Sequence, residues 1–295
     1  ELLQPICASR TKQIITMKTE NKRMKEKMKF NGPVQETLLI PLYMRAMESR
    51  RKKNCILKDD FAEGLVDRID YDFAKLKNAK MSYIGCVVRG RYYDDAARRF
   101  IQSHSNPVVV NVGCGLDTRY QRVKEHNRAV FYELDLPEVI ELRRHLIPEE
   151  AGDHYVAGSL LEEDWMDELR ERHPDSHFII IAEGVLMYFY ERQVRQFVTR
   201  IAKKFGGGEL CLDVCGPMMT KHGVRPDSMQ ESQAEFRSGF ANGHEIEKWA
   251  CNIQLVEQKS YMSMFRSRWG FMGYTFGLFP RLCFRYSSML RFKLL

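Results

Sequence analysis

From residue 107 onward the chain alternates two kinds of segment. Short runs that are apolar at nearly every position, at 108–112, 130–134, 154–157, 178–182 and 210–214, are separated by stretches in which apolar residues recur every three or four positions, at 138–146, 164–172 and 191–204. Continuous apolar runs of this length suit strands buried on both faces, and the longer period suits amphipathic helices. Their alternation predicts βαβ units and a mostly parallel sheet. Asn106-Pro107 is a turn signal that opens the region, and Gly206-Gly207-Gly208 ends the third helix before the fifth strand. Further on, 244–250 reads as helix and 253–258 as strand. The segment 288–294, with basic residues alternating among apolar ones, reads as an edge strand.

Upstream, helical spacing is present at 34–47, 71–76 and 91–101. The expected organisation is therefore a basic flexible extension over 1–30, a helical cap over 31–106, and a Rossmann-like α/β domain over 107–295 with an insert at about 217–243.

Composition narrows the class. With 44% hydrophobic and 29% charged residues the chain is globular rather than fibrous or disordered. Its longest apolar stretch, 178–190, is interrupted by Glu183 and Gly184 and is too short for a transmembrane helix, so no membrane span is expected. The first residues do not read as a secretory signal. The eight cysteines are scattered without any C-x-x-C pair, which points to a reducing, cytoplasmic setting with neither disulfides nor structural zinc. His173 and His177 have ligand spacing, but Pro174 between them argues against the helix that would align them, and no metal is expected. The net charge of +7 is concentrated in Lys18, Lys22, Arg23, Lys25, Lys27 and Lys29 and in the run Arg50-Arg51-Lys52-Lys53. No aromatic residues interleave the lysines of the extension as a base-stacking platform requires, so these runs read as solvated surface and nucleic acid is not an expected partner.

The candidate chemistry begins where the first strand runs into Gly113-Cys114-Gly115. Two glycines at that point let the backbone turn sharply and let a ligand lie against it, at the position where doubly wound sheets bind nucleosides. Asp135, 22 residues beyond Gly113 at the end of the second strand, is placed to accept hydrogen bonds from both ribose hydroxyls. It can alternatively cap the helix that starts at Pro137. Thr118 occupies the position where a dinucleotide site has its third glycine, which indicates a nucleoside ligand without a pyrophosphate, and S-adenosylmethionine fits. Glu183 breaks an otherwise apolar strand run. A carboxylate there is unfavourable unless paired, and the ammonium group of that cofactor is a suitable partner.

Three ordered motifs then carry a resemblance. The segments 111–119 (NVGCGLDTR), 132–137 (YELDLP) and 182–188 (AEGVLMY) resemble the leucine carboxyl methyltransferase family, and 37–46 (TLLIPLYMRA) with 89–94 (RGRYYD) is similar to its polyketide O-methyltransferase, tetracenomycin-type branch. The resemblance implies a class I methyltransferase sheet, S-adenosylmethionine as cofactor, Arg89 as the residue that holds the cofactor carboxylate, with Arg91 as the competing candidate, and Ser159-Leu160 as the adenine-contacting pair. It implies transfer of a methyl group to an oxygen, a carboxylate or acidic hydroxyl, of a small polyketide-like molecule or a peptide. Tyr188, just past Glu183, is the candidate catalytic residue at the methyl-transfer opening, and Arg45 is a candidate for drawing in an anionic acceptor. Two other classes stay open from sequence: a protein that binds the cofactor without turnover, and an NAD-dependent oxidoreductase on the same fold logic.

Overall fold

The computed structural model describes residues 26–27 and 36–295, apart from 222 and 231. The expected basic extension, Glu26–Lys27 excepted, and the start of the helix expected from 34 lie outside the described residues.

The apolar runs become a seven-stranded sheet. Its strands are β1 (Pro107–Val112), β2 (Val130–Asp135), β3 (Asp153–Ala157), β4 (His177–Ala182), β5 (Glu209–Cys215), β6 (Ile253–Lys259) and β7 (Ser287–Leu294), in the order β3-β2-β1-β4-β5-β7-β6. The first five run parallel and β7 runs antiparallel to both of its neighbours. Every residue of β1 is buried, as a central strand covered on both faces requires. Chain order reverses between β1 and β4, and the crevice beyond the carboxyl ends of those two strands is where such a sheet binds ligands.

Helices cover both faces. On one, α1 (Leu39–Ser49), α2 (Asp60–Arg68) and α3 (Lys80–Ser103) precede the sheet, and Val87, Val88, Tyr93, Ala96 and Phe100 of α3 pack with Val109, Phe131, Ile179 and Ile181 of the strands. On the other, α5 (Asp164–Arg172) and α6 (Glu191–Lys204) follow α4 (Pro137–Leu146) in the chain, and α6 buries Val194, Phe197, Val198, Ile201 and Ala202, a stripe at helical spacing against the sheet. Among the described residues no helix is long and apolar enough to cross a membrane.

Three elements differ from their sequence reading for identifiable reasons. The first helix starts at Leu39 because Pro41 is tolerated in a first turn and not in a helix interior. The third is longer than 91–101, reaching back to Lys80. Gly85 and Gly90 lower its apparent helical propensity, but Gly85 lies close against Tyr261 and Gly90 against Leu57. The largest correction concerns 288–294, which is not an edge. Strand β7 pairs with β5 on one side and β6 on the other, and its Arg291 meets Glu209 at 3.2 Å, so the alternating basic residues are accommodated inside the sheet. The edge on this side of the sheet is β6, which carries a bulge between Leu255 and Glu257.

One buried acid marks the far end of the sheet. Asp153 opens β3 fully buried, and that burial, reinforced by Glu133, pushes its carboxyl up to about 8 against the pull of Arg143. The folded chain thus holds a proton that the unfolded chain releases near 3.8, so this group's contribution to stability is complete below 3.8 and is lost as pH rises to about 8. Urea midpoints should fall across that window in the wild type and fall less in Asp153→Asn. Parallel curves for the two proteins would acquit Asp153.

Candidate functional site

At the end of β1 the backbone enters left-handed conformations at Gly113 (φ 65°) and Gly115 (φ 50°). A Cβ on Gly113 would lie 2.5 Å from Val185 Cγ2, so the turn itself demands glycine. The loop is held from two sides. Asp135 Oδ2 accepts from the Gly115 N–H at 2.8 Å, and Arg143 beneath donates to the Gly115 carbonyl at 3.1 Å. Asp135 Oδ1 accepts from the N–H of Leu136, the N-cap of α4, whose first turn receives no side-chain cap. The helix-capping alternative is therefore not the arrangement adopted. A carboxylate offers about four acceptor positions and these bonds occupy two, which leaves capacity for ligand hydroxyls. Burial pushes the Asp135 carboxyl up, opposed by the two backbone N–H groups.

Beside the loop lies a buried ionic network. Arg119, 1% exposed, donates to Asp94 of α3 at 3.0 Å, to Asn111 of β1 and to Glu183 at the end of β4. Arg89 of α3 pairs with the other Glu183 oxygen at 3.0 Å and with Asp213 of β5 at 3.1 Å. Asp213 also accepts from the Tyr261 hydroxyl at 2.9 Å and from the Gly184 N–H at 2.6 Å. Behind them Arg122 meets Asp94 at 2.7 Å, and Arg45 meets Asp59 at 2.9 Å. Burial works against Asp117, but Arg119, Arg122 and Arg45 together hold its carboxyl well below the usual range. The linked arginines are four, at 45, 89, 119 and 122, and the linked carboxylates five, at 59, 94, 117, 183 and 213.

The network floors a cavity of about 630 Å³. Residues 113–117, Arg89, Glu183 and Asp213 contribute to its lining, and much of the remainder is apolar and sulfur-rich, with Met81, Met187, Met219, Met229, Met262 and Met272 among Phe236, Trp269 and Phe276, and with Arg225 and Asp227 from the 217–243 segment. The insert at 217–243 is tied across the cavity by Asp227, which accepts from the N–H groups of Met81 and Ser82 at 2.8 and 3.0 Å and so caps the amino end of α3. Tyr188 stands in the wall against Phe236, its hydroxyl 3.4 Å from Thr37 Oγ1. Burial pushes its phenol above the ordinary value, so at neutral pH it is a hydrogen-bond donor rather than a base.

The structure thus brings Arg89, Gly113, Gly115, Glu183 and Tyr188 to one cavity. Asp135 touches the glycine loop from outside the lining, and Ser159 and Leu160 are not in the lining; Ser159 bonds within its own turn to Leu161, and Leu160 packs in the core. Arg91 instead pairs with Asp95 at 2.8 Å on the same helix. Arg45 lines the cavity, but its guanidinium is engaged by Asp59 and the Leu116 carbonyl, which corrects its expected role as a free attractor of anions. Among the described residues no group of three or more His, Cys, Asp or Glu is arranged to hold a metal ion. Sequence reasoning overlooked Asp213, although a lone carboxylate in the apolar run of β5 is the same signal that singled out Glu183. It also overlooked the pairing of Arg119 with Asp94, and Tyr261, for which no local signal exists.

A family model for leucine carboxyl methyltransferase matches residues 39–202. The tetracenomycin polyketide synthesis O-methyltransferase TcmP of Streptomyces glaucescens is 30% identical over 239 residues, 81% of this chain and 87% of that one. A protein of Mycolicibacterium gilvum with the provisional description S-adenosyl-L-methionine-dependent methyltransferase is 35% identical over 130 residues, 41% of this chain and 42% of that one. Among solved structures, a DUF574-family protein from Streptomyces avermitilis superposes with a TM-score of 0.54 at 11% identity, covering 88% of this chain and 97% of that one, a likeness of fold.

Removing one member of a buried, hydrogen-bonded charge cluster strands the others. Arg119→Met should therefore lower unfolding free energy by about 3–5 kcal/mol, measured by urea denaturation. A loss below about 1 kcal/mol would mean that water already solvates the network.

Proposed function

The chain belongs to the leucine carboxyl methyltransferase family, and from that premise we propose that it transfers a methyl group from S-adenosyl-L-methionine to an ionisable oxygen of a largely apolar, polyketide-like small molecule. The observation that carries this reading is the division of a single cavity into a charged floor and a methionine- and aromatic-rich wall.

The residues fit the cofactor by the chemistry of their donor set. Glu183 and Asp213 supply carboxylates for an ammonium group, and Arg89 between them, its Nε and Nη1 paired with these two acids, keeps its Nη2 donors for a carboxylate. Asp135 has acceptor capacity left for ribose hydroxyls, and the glycine loop presents backbone without side chains. The network's surplus carboxylate suits a ligand of net positive charge. Ser159 and Leu160 would reach such a ligand only at its adenine end. When bound, the cofactor supplies an electrophilic methyl group on a sulfonium.

The chain's own contribution is to bind, align and exclude water, since in-line displacement gains most from holding the reacting atoms at near-attack distance. Tyr188, kept protonated by burial, donates to the acceptor oxygen and orients it. The apolar wall selects a hydrophobic body, and methionines adapt to its outline. A phenol or acid that ionises before transfer needs no side-chain base. The relative TcmP, by its name a polyketide O-methyltransferase, supports an acceptor of this class over a peptide.

Two measurements test this. Calorimetry should show binding of S-adenosylmethionine and its demethylated product but not of NAD or NADP, with Asp135→Ala and Glu183→Gln each weakening the former by about 1–3 kcal/mol. Heat with the nicotinamide cofactors alone would reverse the reading. Across acceptors of graded acidity, the rate should rise with pH and level off at each acceptor's own pKa. A break at one fixed pH for every acceptor, or a methylated nitrogen in the product, would instead indicate an enzyme base or a different acceptor class.

A further inference from the structure

Between β6 and β7 the chain makes a series of short helical turns over residues 260–286 whose outer face is apolar. Phe271 is 82% exposed and Phe279 64%, with Leu278 and Tyr274 close behind and Met272, Phe276 and Leu282 beside them. Exposed apolar residues scattered singly need no explanation, but this density in one segment does. The segment is firmly seated on its inner side. Arg268 makes a two-pronged pair with the buried Glu48 of α1, at 2.6 and 2.7 Å, and Trp269 is buried, with its indole N–H on the Met264 carbonyl at 3.1 Å. The rings that face outward are therefore held there by a folded base.

The segment's own charges have one sign. From residue 258 to 295 the sequence contains no Asp or Glu, and Arg266, Arg281 and Arg285 are exposed. Of the segment's four arginines only Arg268 is held in an ion pair among the described residues. We propose that residues 265–286 form a docking surface for an anionic lipid bilayer, with Phe271, Leu278 and Phe279 entering the interface and Arg266, Arg281 and Arg285 meeting headgroup phosphates. Aromatic and leucine side chains framed by arginine are the composition of segments that lie in a membrane interface. An anionic leaflet attracts every one of these cations, whereas a protein partner of mixed charge has no need of a segment without a carboxylate of its own. Met272, Phe276, Leu282 and Tyr286 are both exposed and part of the cavity wall, so the cavity mouth opens at this surface. An apolar acceptor dissolved in lipid would then reach the cavity without crossing water. That consequence rests on the function proposed above, while the docking itself does not.

The test is co-sedimentation of the full chain with vesicles of phosphatidylcholine containing phosphatidylserine, against vesicles of phosphatidylcholine alone. The wild type should partition onto the former. Phe271→Ser/Leu278→Ser/Phe279→Ser and Arg281→Glu/Arg285→Glu should each reduce partition by about tenfold or more while keeping the wild-type circular dichroism. Since the triple variant can misfold, Phe279→Trp provides a second measurement: its emission should shift to the blue and be quenched by brominated lipid when vesicles are added. Failure of the wild type to bind, equal binding by the charge-reversal variant, or an emission indifferent to vesicles would each overturn the proposal. So would a lipid-free dimer in sedimentation velocity that Phe279→Ser dissociates, because a second copy would then be what covers the face. None of these readouts depends on methyl transfer.

Discussion

A guanidinium with 1% of its surface exposed is tolerable only where its edges are met by partners, and Arg119 meets that condition by drawing on three separate elements. Asp94 comes from α3, Asn111 from the central strand β1 and Glu183 from the end of β4. A planar group with five donors is suited to such a junction, where an ammonium would act as a point charge. The consequence is mutual positioning. The strand ends on either side of the switch point and the helix that covers them cannot shift without leaving a buried charge unpaired. Glu183 is thereby fixed at the cavity floor instead of turning to solvent.

The same junction decides the sign of the floor. Four arginines linked to five carboxylates leave one negative charge over, inside a region from which water is largely excluded, where electrostatic interactions are stronger than at the surface. Such a surplus is unfavourable in isolation and is relieved by a cation. Arg89, flanked by Glu183 and Asp213, adds a local alternation of sign that matches a zwitterionic amino-acid group more closely than a phosphate. Phosphate recognition would call for converging N–H donors, and here the Gly113 and Cys114 N–H groups are already spent on the Leu134 carbonyl, at 2.8 and 3.1 Å.

What was legible in the sequence was whatever broke a local pattern. Gly113 and Gly115 interrupt a strand-to-helix passage, Asp135 ends a strand, and Glu183 sits in an apolar run; each is visible in a window of a few residues. Asp213 breaks β5 in the same way and was equally readable. The union of Arg119 with Asp94 and Glu183 was not, because its members lie 25 and 64 positions apart and only the folded sheet brings them together. Alternating Arg291 and Lys293 suggested an edge strand, but burial of alternate residues is common to edge and interior strands, and only the pairing with β5 and β6 distinguishes them. Residues 260–286 carry no period at all. Their turns are too short for a helical stripe to repeat, so a segment that contributes Tyr261, Trp269, Met272 and Phe276 to the cavity left no pattern to read.

The charged and apolar parts of the cavity lining impose opposite demands, and the fold meets them by assigning each chiefly to a different part of the chain. The charged floor is built on strand ends and on α3, elements whose backbone hydrogen bonds hold side chains within narrow limits. The apolar wall is built chiefly from the connecting segments 217–243 and 260–286, with Met81 of α3 and Met187 added from the scaffold, and those segments are pinned at a few points such as Asp227 on the amino end of α3 and Arg268 on Glu48. Rigidity is needed at the floor because alignment of reacting atoms tolerates little displacement. At the wall, exclusion of water matters more than exact fit, since an anionic oxygen and a cationic methyl donor attract more strongly as the dielectric falls. Six methionines there can close around an apolar body of varied outline without backbone movement. On the function proposed above, acceptor choice can therefore change through these segments, while the floor proposed to hold the methyl donor stays as the sheet has set it.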